Sequence, residues 1–178
     1  MILRPKRELS VRELTLAAVV AAVYFVLCYF GNIFQLTFGP VQVRLGEALT
    51  VLPFLFPATA PGVALGCLLT NVLSPYGPID MVVGTLATAV AAWLTMKMPR
   101  WYLAALPPIL VNLLVLPPIW AWTYVGAVNG AFWANWAWNC LTFLIGETVV
   151  CYVLGTILLK ALPRISYFRP ILRAQVKG

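Results

Sequence analysis

The sequence predicts an all-α membrane protein, a six-transmembrane-helix bundle with an extended, hairpin-like outer loop between helices 1 and 2. Of its 178 residues, 62% are hydrophobic and only 10% are charged, whereas a soluble domain carries about 45–50% apolar and about 25% charged residues. Six spans of about 20 residues use roughly 120 residues, which leaves enough for short loops and two tails. These observations exclude a water-soluble globule, a disordered chain and a large soluble catalytic domain.

The distribution of Lys and Arg predicts the topology. Apart from Arg44, all the basic residues lie near the two termini or in the short connection at 97–100. Cytoplasmic flanks carry such an excess of positive charge, and an even number of spans places both basic ends on that side, whereas five spans would not. We therefore predict a single transmembrane domain over residues 1–178 in the cell membrane, with cytoplasmic tails at 1–10 and 163–178.

The start of helix 1 has a clear signal. Ser10-x-x-Glu13 is a capping box directly before an apolar run, so helix 1 is expected from about Val11 to Phe30. The apolar stretch at 14–30 is longer than the h-region of a signal peptide, which has about 7–15 residues, and it lacks a cleavage pattern of small residues. We interpret it as a retained span.

The loop after helix 1 has a different pattern. Between Gln35 and Arg44, apolar residues alternate with polar or small ones on both sides of Gly39-Pro40, which is typical of an extended, hairpin-like segment. Backbone of this kind cannot face lipid. The loop is therefore expected to cap the protein or to line a cavity.

Five further helices are expected, at about 45–56, 62–73, 79–98, 101–119 and 132–162. Helix 2 is short and contains Pro53, and helix 3 is also too short to cross a core of about 30 Å comfortably. The turn at 74–78, Ser-Pro-Tyr-Gly-Pro, separates helices 3 and 4.

The sequence contains few groups that could do chemistry. It has no histidine and no G-x-x-x-x-G-K-[ST] loop, which excludes Ser-His-Asp catalysis, histidine metal sites and nucleotide hydrolysis by that route. The four cysteines lie in apolar stretches without C-x-x-C spacing, where cysteine behaves as a small hydrophobe. We expect no catalytic residue, no cofactor and no metal.

Four charged residues are predicted at membrane depth: Arg44, Glu47, Asp80 and Glu147. Ionisable groups there are costly and normally belong to a binding site or pathway. Arg44 and Glu47 could also pair on one helix face, and Asp80 could complement the dipole of helix 4. Glu147, roughly 22 Å along helix 6 at 1.5 Å per residue, has no cation near it in sequence. Its expected role is ligand contact or proton coupling.

One face of helix 6 combines an aromatic wall with hydrogen-bonding groups. Trp136, Asn139, Phe143 and Glu147 follow 3–4 spacing and therefore share that face. An aromatic ring, an amide and a carboxylate suit a flat ligand with hydrogen-bonding edges, although Asn139 could equally bond a neighbouring helix.

Other polar and aromatic residues have structural interpretations. Asn71 and Asn112 lie in apolar stretches and fit hydrogen bonds between helices. Trp120, Trp122 and Trp133 fit the membrane–water interface, where tryptophan is enriched.

Small residues recur at spacing four on two helices. Such pairs let helix backbones approach closely, either within the bundle or against a partner protein. The pairs are Ala17/Ala21 and Ala18/Ala22 on helix 1 and Gly62/Gly66 on helix 3.

Three motifs resemble the signatures of the QueT family: Val-Arg-Leu-Gly-Glu-Ala-Leu at 43–49, Gly-Cys-Leu-Leu-Thr-Asn at 66–71 and Asp-Met-Val-Val-Gly-Thr-Leu-Ala-Thr at 80–88. The resemblance extends over roughly residues 10 to 160. These proteins are substrate-binding S components of energy-coupling factor (ECF) transporters. The resemblance implies a six-helix bundle that captures a queuosine precursor, a 7-deazapurine such as queuine or preQ1 (the aminomethyl form), near the extracellular side.

The resemblance also implies partners. In that family the bundle topples in the membrane when docked on a transmembrane coupling protein with two ATPase subunits, and the alanine-rich face of helix 1 meets the coupling protein. Ala17, Ala18, Ala21 and Ala22 match that face. The partners implied are thus the coupling protein, the ATPases, the substrate and the lipid bilayer, with no nucleic acid.

Combining the resemblance with the chemistry gives the candidate site. A carboxylate can accept two parallel hydrogen bonds from a 7-deazaguanine edge, a second acid would pair with an aminomethyl cation, and tryptophan would stack on the ring. The candidate substrate-binding residues are Arg44, Glu47, Asn71, Asp80, Trp136, Asn139 and Glu147.

Two alternative functions stay open at this point. The first is a stand-alone proton-coupled carrier of a small vitamin-like solute that uses Glu147. The second is an intramembrane enzyme acting on lipid, with Glu47 or Asp80 as base; the lack of histidine argues against it.

Overall fold

The computed structural model describes residues 10–39 and 41–172, with backbone alone at 169–171. The predicted tail segments 1–9 and 173–178 lie outside the described residues. The beginning of the predicted C-terminal tail forms two 3-10 turns, Leu162–Arg164 and Ser166–Ile171.

The described residues form helices and no β-strand. The helices are α1 (Val11–Ile33), α2 (Leu45–Phe54), α3 (Ala60–Asn71), α4 (Asp80–Thr95), α5 (Trp101–Val125) and α6 (Gly130–Arg164). Within this part of the chain, α1, α5 and α6 are long and apolar enough to cross a membrane, while α2 and α4 are shorter apolar helices. The predicted all-α membrane bundle is confirmed; a separate crossing by each of the six helices stays a prediction.

The start of α1 follows the capping box. Ser10 Oγ accepts a hydrogen bond from the Glu13 N–H at 3.3 Å, and Glu13 Oε2 accepts from the Ser10 N–H at 2.9 Å. These bonds satisfy two N–H groups that have no partner inside the helix. The other end of α1 continues three residues past the predicted Phe30, to Ile33.

Small residues bring α1 and α3 into direct backbone contact. Ala17 and Ala21 are buried. A side chain at Gly62 would overlap the backbone of Ala17, and one at Gly66 would lie 2.6 Å from Tyr24 Cβ. One small pair on each helix therefore serves internal packing, because only glycine permits so close an approach.

The second alanine pair of α1 lies elsewhere. Ala18 and Ala22 are on the exposed face of the helix, together with large apolar residues such as Val19 and Val26. This face is apolar and is not covered by another described helix.

The loop between α1 and α2 folds back on itself as predicted. The Val43 N–H donates to the Leu36 C=O at 2.8 Å, across Gly39-Pro40. At its far end, the Gln42 carbonyl lies so close to Gly146 on α6 that a side chain there would overlap it. The loop therefore packs against the middle of α6, next to Glu147.

α2 lies at the centre of the bundle, where α1, α3, α4 and α6 all contact it. Every residue from Gly46 to Phe54 is buried. The helix has 3-10 geometry and contains Pro53, which has no N–H to donate and disfavours a regular α-helix. Its central position brings charged residues of its first turn into the core.

Candidate binding site

A cluster of buried polar side chains occupies the end of the bundle where the α1–α2 and α3–α4 connections lie, and each of the six helices or its N-cap contributes to it. No member is more than 3% exposed. We call it the polar cluster; it consists of Tyr24, Arg44, Glu47, Asn71, Asp80, Trp120 and Glu147.

The first part of the polar cluster surrounds Glu47. Arg44, the N-cap of α2, places its Nε 3.8 Å from Glu47 Oε1, and the Tyr24 hydroxyl donates to the same oxygen at 2.6 Å. The pairing of Arg44 with Glu47, which the sequence left open as an alternative, is therefore present. Tyr24 ties this pair to α1.

Asn71 connects Arg44 to α4. Its Oδ1 accepts from Arg44 Nη2 at 2.8 Å, and its Nδ2 donates to the Asp80 carbonyl at 3.0 Å. A side chain at Gly84 would lie 2.8 Å from this Nδ2, so glycine leaves room for the amide. The predicted interhelical hydrogen bonding of Asn71 is confirmed.

Asp80 begins α4 and faces an aromatic group. Its Oδ1 accepts from Trp120 Nε1 at 3.3 Å. Tyr76 stacks on the Trp120 ring with centroids 5.3 Å apart, and Phe143 meets the same ring edge-on at 5.5 Å. In the α3–α4 connection, burial and the nearby Asp80 carboxylate raise the pKa of Tyr76.

The interpretation of Trp120 as a membrane-interface residue is wrong. The ring is 1% exposed, whereas Trp122 and Trp133 are 50% and 55% exposed, as expected for interface residues. Asp80 provides the physical reason: a buried indole N–H needs an acceptor, and the carboxylate supplies one.

Glu147 joins the polar cluster from α6. Its Oε2 accepts from Cys151 Sγ at 3.2 Å, and the same sulfur lies 3.6 Å from the Glu47 carbonyl oxygen. The two glutamates are thus brought together across the α2–α6 contact. The α6 helix has a π turn at Val149–Leu154, just after Glu147, and α4 begins with another at Asp80–Gly84; such turns are frequent at functional sites.

Several buried polar atoms have no hydrogen-bond partner among the described residues. They include Glu47 Oε2, Asp80 Oδ2, Gln42 Oε1 in the loop that packs against α6, and both amide atoms of Asn112 on α5. Burying a polar atom unpaired is costly, and native structures contain few such atoms. A polar ligand in this region would satisfy them.

The sequence of the chain matches a known family. The family described as "QueT transporter" matches residues 14–164. The chain belongs to the QueT transporter family. The resemblance inferred from the three motifs is therefore confirmed, and the matched range of the QueT family contains the whole polar cluster.

One curated relative is the protein named "Queuosine precursor transporter QueT" from Lactococcus lactis subsp. cremoris (strain MG1363). It is 32% identical to this chain over 78 residues. That stretch covers 44% of this chain and 46% of the relative, so the match spans less than half the length of either protein. No solved structure matches the chain.

Trp136 and Asn139 lie apart from the polar cluster in this QueT family member. Trp136 is about 17 Å before Glu147 along α6, at 1.5 Å per residue. Its ring contacts Phe132 and Trp133, and Asn139 Nδ2 donates to Asn135 Oδ1 at 2.9 Å. Both side chains are half-buried. The structure thus brings five of the seven candidate residues together and places these two nearer the start of α6.

Residues in or beside the polar cluster that the sequence interpretation missed carry weak signals. Tyr24 follows Ala17 and Ala21 at helical spacing, so it shares their buried face. Cys151 lies four residues after Glu147, one turn away on the same face. Both signals require knowing which helix face is buried.

Proposed function

We propose that this member of the QueT family is a substrate-binding S component of an ECF-type importer that captures a queuosine precursor, a 7-deazapurine such as queuine or preQ1. On this proposal it delivers the substrate by toppling in the membrane when docked on a coupling protein and two ATPases. The observation that carries the proposal is the polar cluster, with its unpartnered carboxylate oxygens inside a membrane bundle. The printed name of the Lactococcus relative points to the same substrate class.

The charge of the polar cluster favours a cationic ligand. The buried charged residues in the described chain are Arg44, Glu47, Asp80 and Glu147, which is three carboxyl groups against one guanidinium. Uncompensated charge in a low-dielectric interior is strongly unfavourable. A ligand with a protonated amine, as on the aminomethyl group of preQ1, would supply the missing positive charge.

The unpartnered oxygens favour a ring with several N–H donors. Carboxylates form their strongest hydrogen bonds in parallel pairs, and the 7-deazaguanine edge offers the N1–H and the 2-amino group side by side. Within the described part of the chain, Glu47 and Asp80 each have one carboxylate oxygen without a hydrogen-bond partner. We assign the ring and amine contacts to Arg44, Glu47, Asn71, Asp80 and Glu147 together.

We assign Trp136 and Asn139 to the path by which a ligand reaches this site. They share the α6 face of Glu147 but lie nearer the helix start, beside exposed aromatic residues such as Trp133. On this proposal, a planar ligand stacks on Trp136 before it reaches the polar cluster.

Charge asymmetry supports an extracellular position for the polar cluster. In the described chain, the basic connection at 97–100 and Lys160 and Arg164 near the end of α6 lie at the opposite end of the helices that bear Asp80 and Glu147. By the positive-inside rule that opposite end is cytoplasmic. The chain then has cytoplasmic termini in the cell membrane and takes substrate from outside.

The exposed face of α1 is the proposed docking surface for the coupling protein. Ala18 and Ala22 offer a flat strip on which a partner helix can pack closely. Ala17 and Ala21 contribute indirectly, because their contact with α3 fixes the orientation of α1.

Ligand titration tests this function. We expect purified protein in detergent to bind preQ1 or queuine at micromolar concentration or below, and to bind the neutral 7-cyano analogue at least about tenfold more weakly, because a charged hydrogen bond is lost. Isothermal titration calorimetry measures both. No heat change with any of these deazapurines, from protein whose folding is verified by thermal unfolding, would contradict the proposal.

A stand-alone proton-coupled carrier is the second candidate. The burial of Glu147 beside Glu47 favours it, because ionisable groups at membrane depth are costly and often belong to proton pathways. It requires uptake without an ATPase, which separates it from the leading proposal.

A further inference from the structure

Asn112, on α5, is a buried side chain with no bonding partner in the described part of the chain. It is 1% exposed, and neither its Nδ2 nor its Oδ1 forms a hydrogen bond. Asn71, an amide buried to the same extent, bonds through both atoms. The sequence interpretation of Asn112 as a helix–helix hydrogen bond is therefore wrong. An amide that is buried with both of its groups unpaired indicates a missing partner.

The helical register places Asn112 next to the polar cluster. Asn112, Leu116 and Trp120 follow one another at spacing four and are all buried, so they form one stripe along α5. Trp120 bonds Asp80, and Leu116 lies beside Gly84, 3.7 Å from the position of a side chain there. Asn112 is the next residue along this stripe, one turn deeper in the bundle.

The neighbouring helices show the depth at which Asn112 lies. α5 runs antiparallel to α6, and Trp120 contacts Phe143. At 1.5 Å per residue, Asn112 and Cys151 each lie about 12 Å from that contact along their own helices. Cys151 donates to Glu147 and lies 3.6 Å from the Glu47 carbonyl oxygen. We place the unpaired amide at the depth of the region where Glu47 and Glu147 meet, on the side of α5 that bears Trp120.

We propose that Asn112 is a ligand-contacting residue that selects the free base over its nucleoside. An amide complements an edge where an acceptor lies beside a donor, as at N3 and N9–H of a 7-deazaguanine, while carboxylates complement the N1–H and 2-amino donors. Nδ2 then donates to N3, and Oδ1 accepts from N9–H. A substituent on N9 removes that donor and occupies the place of the amide. The inference rests on the proposed function and adds a specificity determinant to it.

The substitution Asn112→Leu tests the assignment, because it keeps the number and branching of the side-chain heavy atoms and removes both polar groups. We expect the affinity for preQ1 to fall about ten- to a hundredfold, the range for two lost hydrogen bonds. Wild-type protein is expected to bind preQ1 at least tenfold more tightly than its 9-methyl derivative, and N112L is expected to lose most of this preference. Titration calorimetry of wild type and N112L with preQ1 and its 9-methyl derivative measures the four affinities.

Thermal unfolding without ligand supplies an independent readout. N112L is expected to unfold at the wild-type temperature or above, since the amide has no bond to lose. The matched control is Thr95→Val, which removes a buried hydroxyl bonded to the Ala104 carbonyl at 3.3 Å, near the other end of α4. T95V is expected to unfold at a lower temperature and to keep wild-type affinity.

The outcomes distinguish a failure of the inference about Asn112 from a failure of the proposed function. If N112L unfolds at a lower temperature, as expected for T95V, Asn112 has a structural partner and the inference fails. It also fails if N112L binds preQ1 as tightly as wild type or keeps the preference over the 9-methyl derivative, and in both cases the proposed function stands. Folded wild-type protein that binds neither ligand would overturn the proposed function and this inference with it.

Discussion

Glu47 is a single residue that connects three helices. Its Oε1 accepts from Tyr24 on α1 and faces Arg44, and its backbone carbonyl accepts from Thr50 and is approached by Cys151 of α6. Only Oε2 has no partner among the described residues. Oε1 therefore holds helices together, whereas Oε2 is the oxygen that would accept from a ligand on the proposed function.

The variant Glu47→Gln is expected to bind preQ1 at least tenfold more weakly and to stay folded. The amide oxygen can still accept from Tyr24, but the negative charge that would attract the ligand is gone, and charged hydrogen bonds contribute about 1.5–3 kcal/mol. Calorimetry measures the affinity, and thermal unfolding checks the fold.

Glu13→Gln is the matched control for this change. It neutralises an acid in the capping box of α1, where glutamine also functions, and should leave the affinity unchanged. Equal affinities of E47Q and wild type would remove Glu47 from the binding site.

Individual site residues differ in how far the sequence predicts them. The four charged residues stand out because charge at membrane depth is rare; they are Arg44, Glu47, Asp80 and Glu147. Once the ends of their helices are predicted correctly, these residues are expected to lie near one another. Trp120 did not stand out as a site residue, because tryptophan suits both the interface and the core. Which environment it occupies depends on Asp80, which is 40 residues away in sequence.

At the scale of elements, α1 and α3 form an interface that also positions the site. Gly66 lies against Tyr24, whose hydroxyl bonds Glu47. A change in helix packing at Gly66 is therefore transmitted to the polar cluster through one side chain.

Gly66→Ala is expected to lower both stability and affinity. The added methyl group would lie 2.6 Å from Tyr24 Cβ, and overpacking of this kind costs about 1–3 kcal/mol. Thermal unfolding and preQ1 titration of the same sample measure the two effects.

Gly130→Ala, at the start of α6, is the control because a side chain there contacts nothing within 4 Å. It should be neutral or slightly stabilising. If G66A behaves like G130A, Gly66 does not lie against Tyr24 and does not position it.

The exposed face of α1 gives a second prediction at this scale. Ala18→Leu combined with Ala22→Leu is expected to keep preQ1 affinity within about twofold but to lower uptake at least tenfold in cells that contain the coupling protein and ATPases. Larger side chains prevent the close approach of a partner helix. Radiolabelled uptake and co-purification of the partners are the measurements.

The exposed Val90 on α4 provides the control for this double substitution. Val90→Leu enlarges another apolar surface and should leave uptake and co-purification unchanged. Wild-type uptake by the double variant would exclude this face of α1 as the docking surface.

The elements themselves were predictable where a local signal exists. The capping box gives the start of α1, and the turn at 74–78 separates α3 from α4. The continuation of α5 past Pro117-Pro118 to Val125 was not predicted, since the prolines favour an end near Ile119. The π turns of α4 and α6 have no local signature in the sequence and depend on packing between helices.

At the scale of the whole molecule, the bundle has a buried polar cluster at one end and, in the described residues, basic side chains at the other end of α4 and α6. A bundle of this kind can bind a charged solute, but releasing it on the other side requires the polar cluster to be exposed there. Exposing several buried charged groups to lipid on the way is costly. An external energy source is therefore expected for the movement.

Reconstitution tests this expectation. Protein alone in liposomes is expected to bind radiolabelled preQ1 without accumulating it, with or without a pH gradient, and to accumulate it only when the coupling protein, both ATPases and ATP are present. The Glu147→Gln variant distinguishes the two candidate functions, because in an S component it lowers affinity and uptake together, whereas in a proton-coupled carrier it abolishes accumulation driven by the gradient. Accumulation by the wild-type protein alone under a pH gradient would contradict the S-component mechanism and leave Glu147 as the proton-binding group.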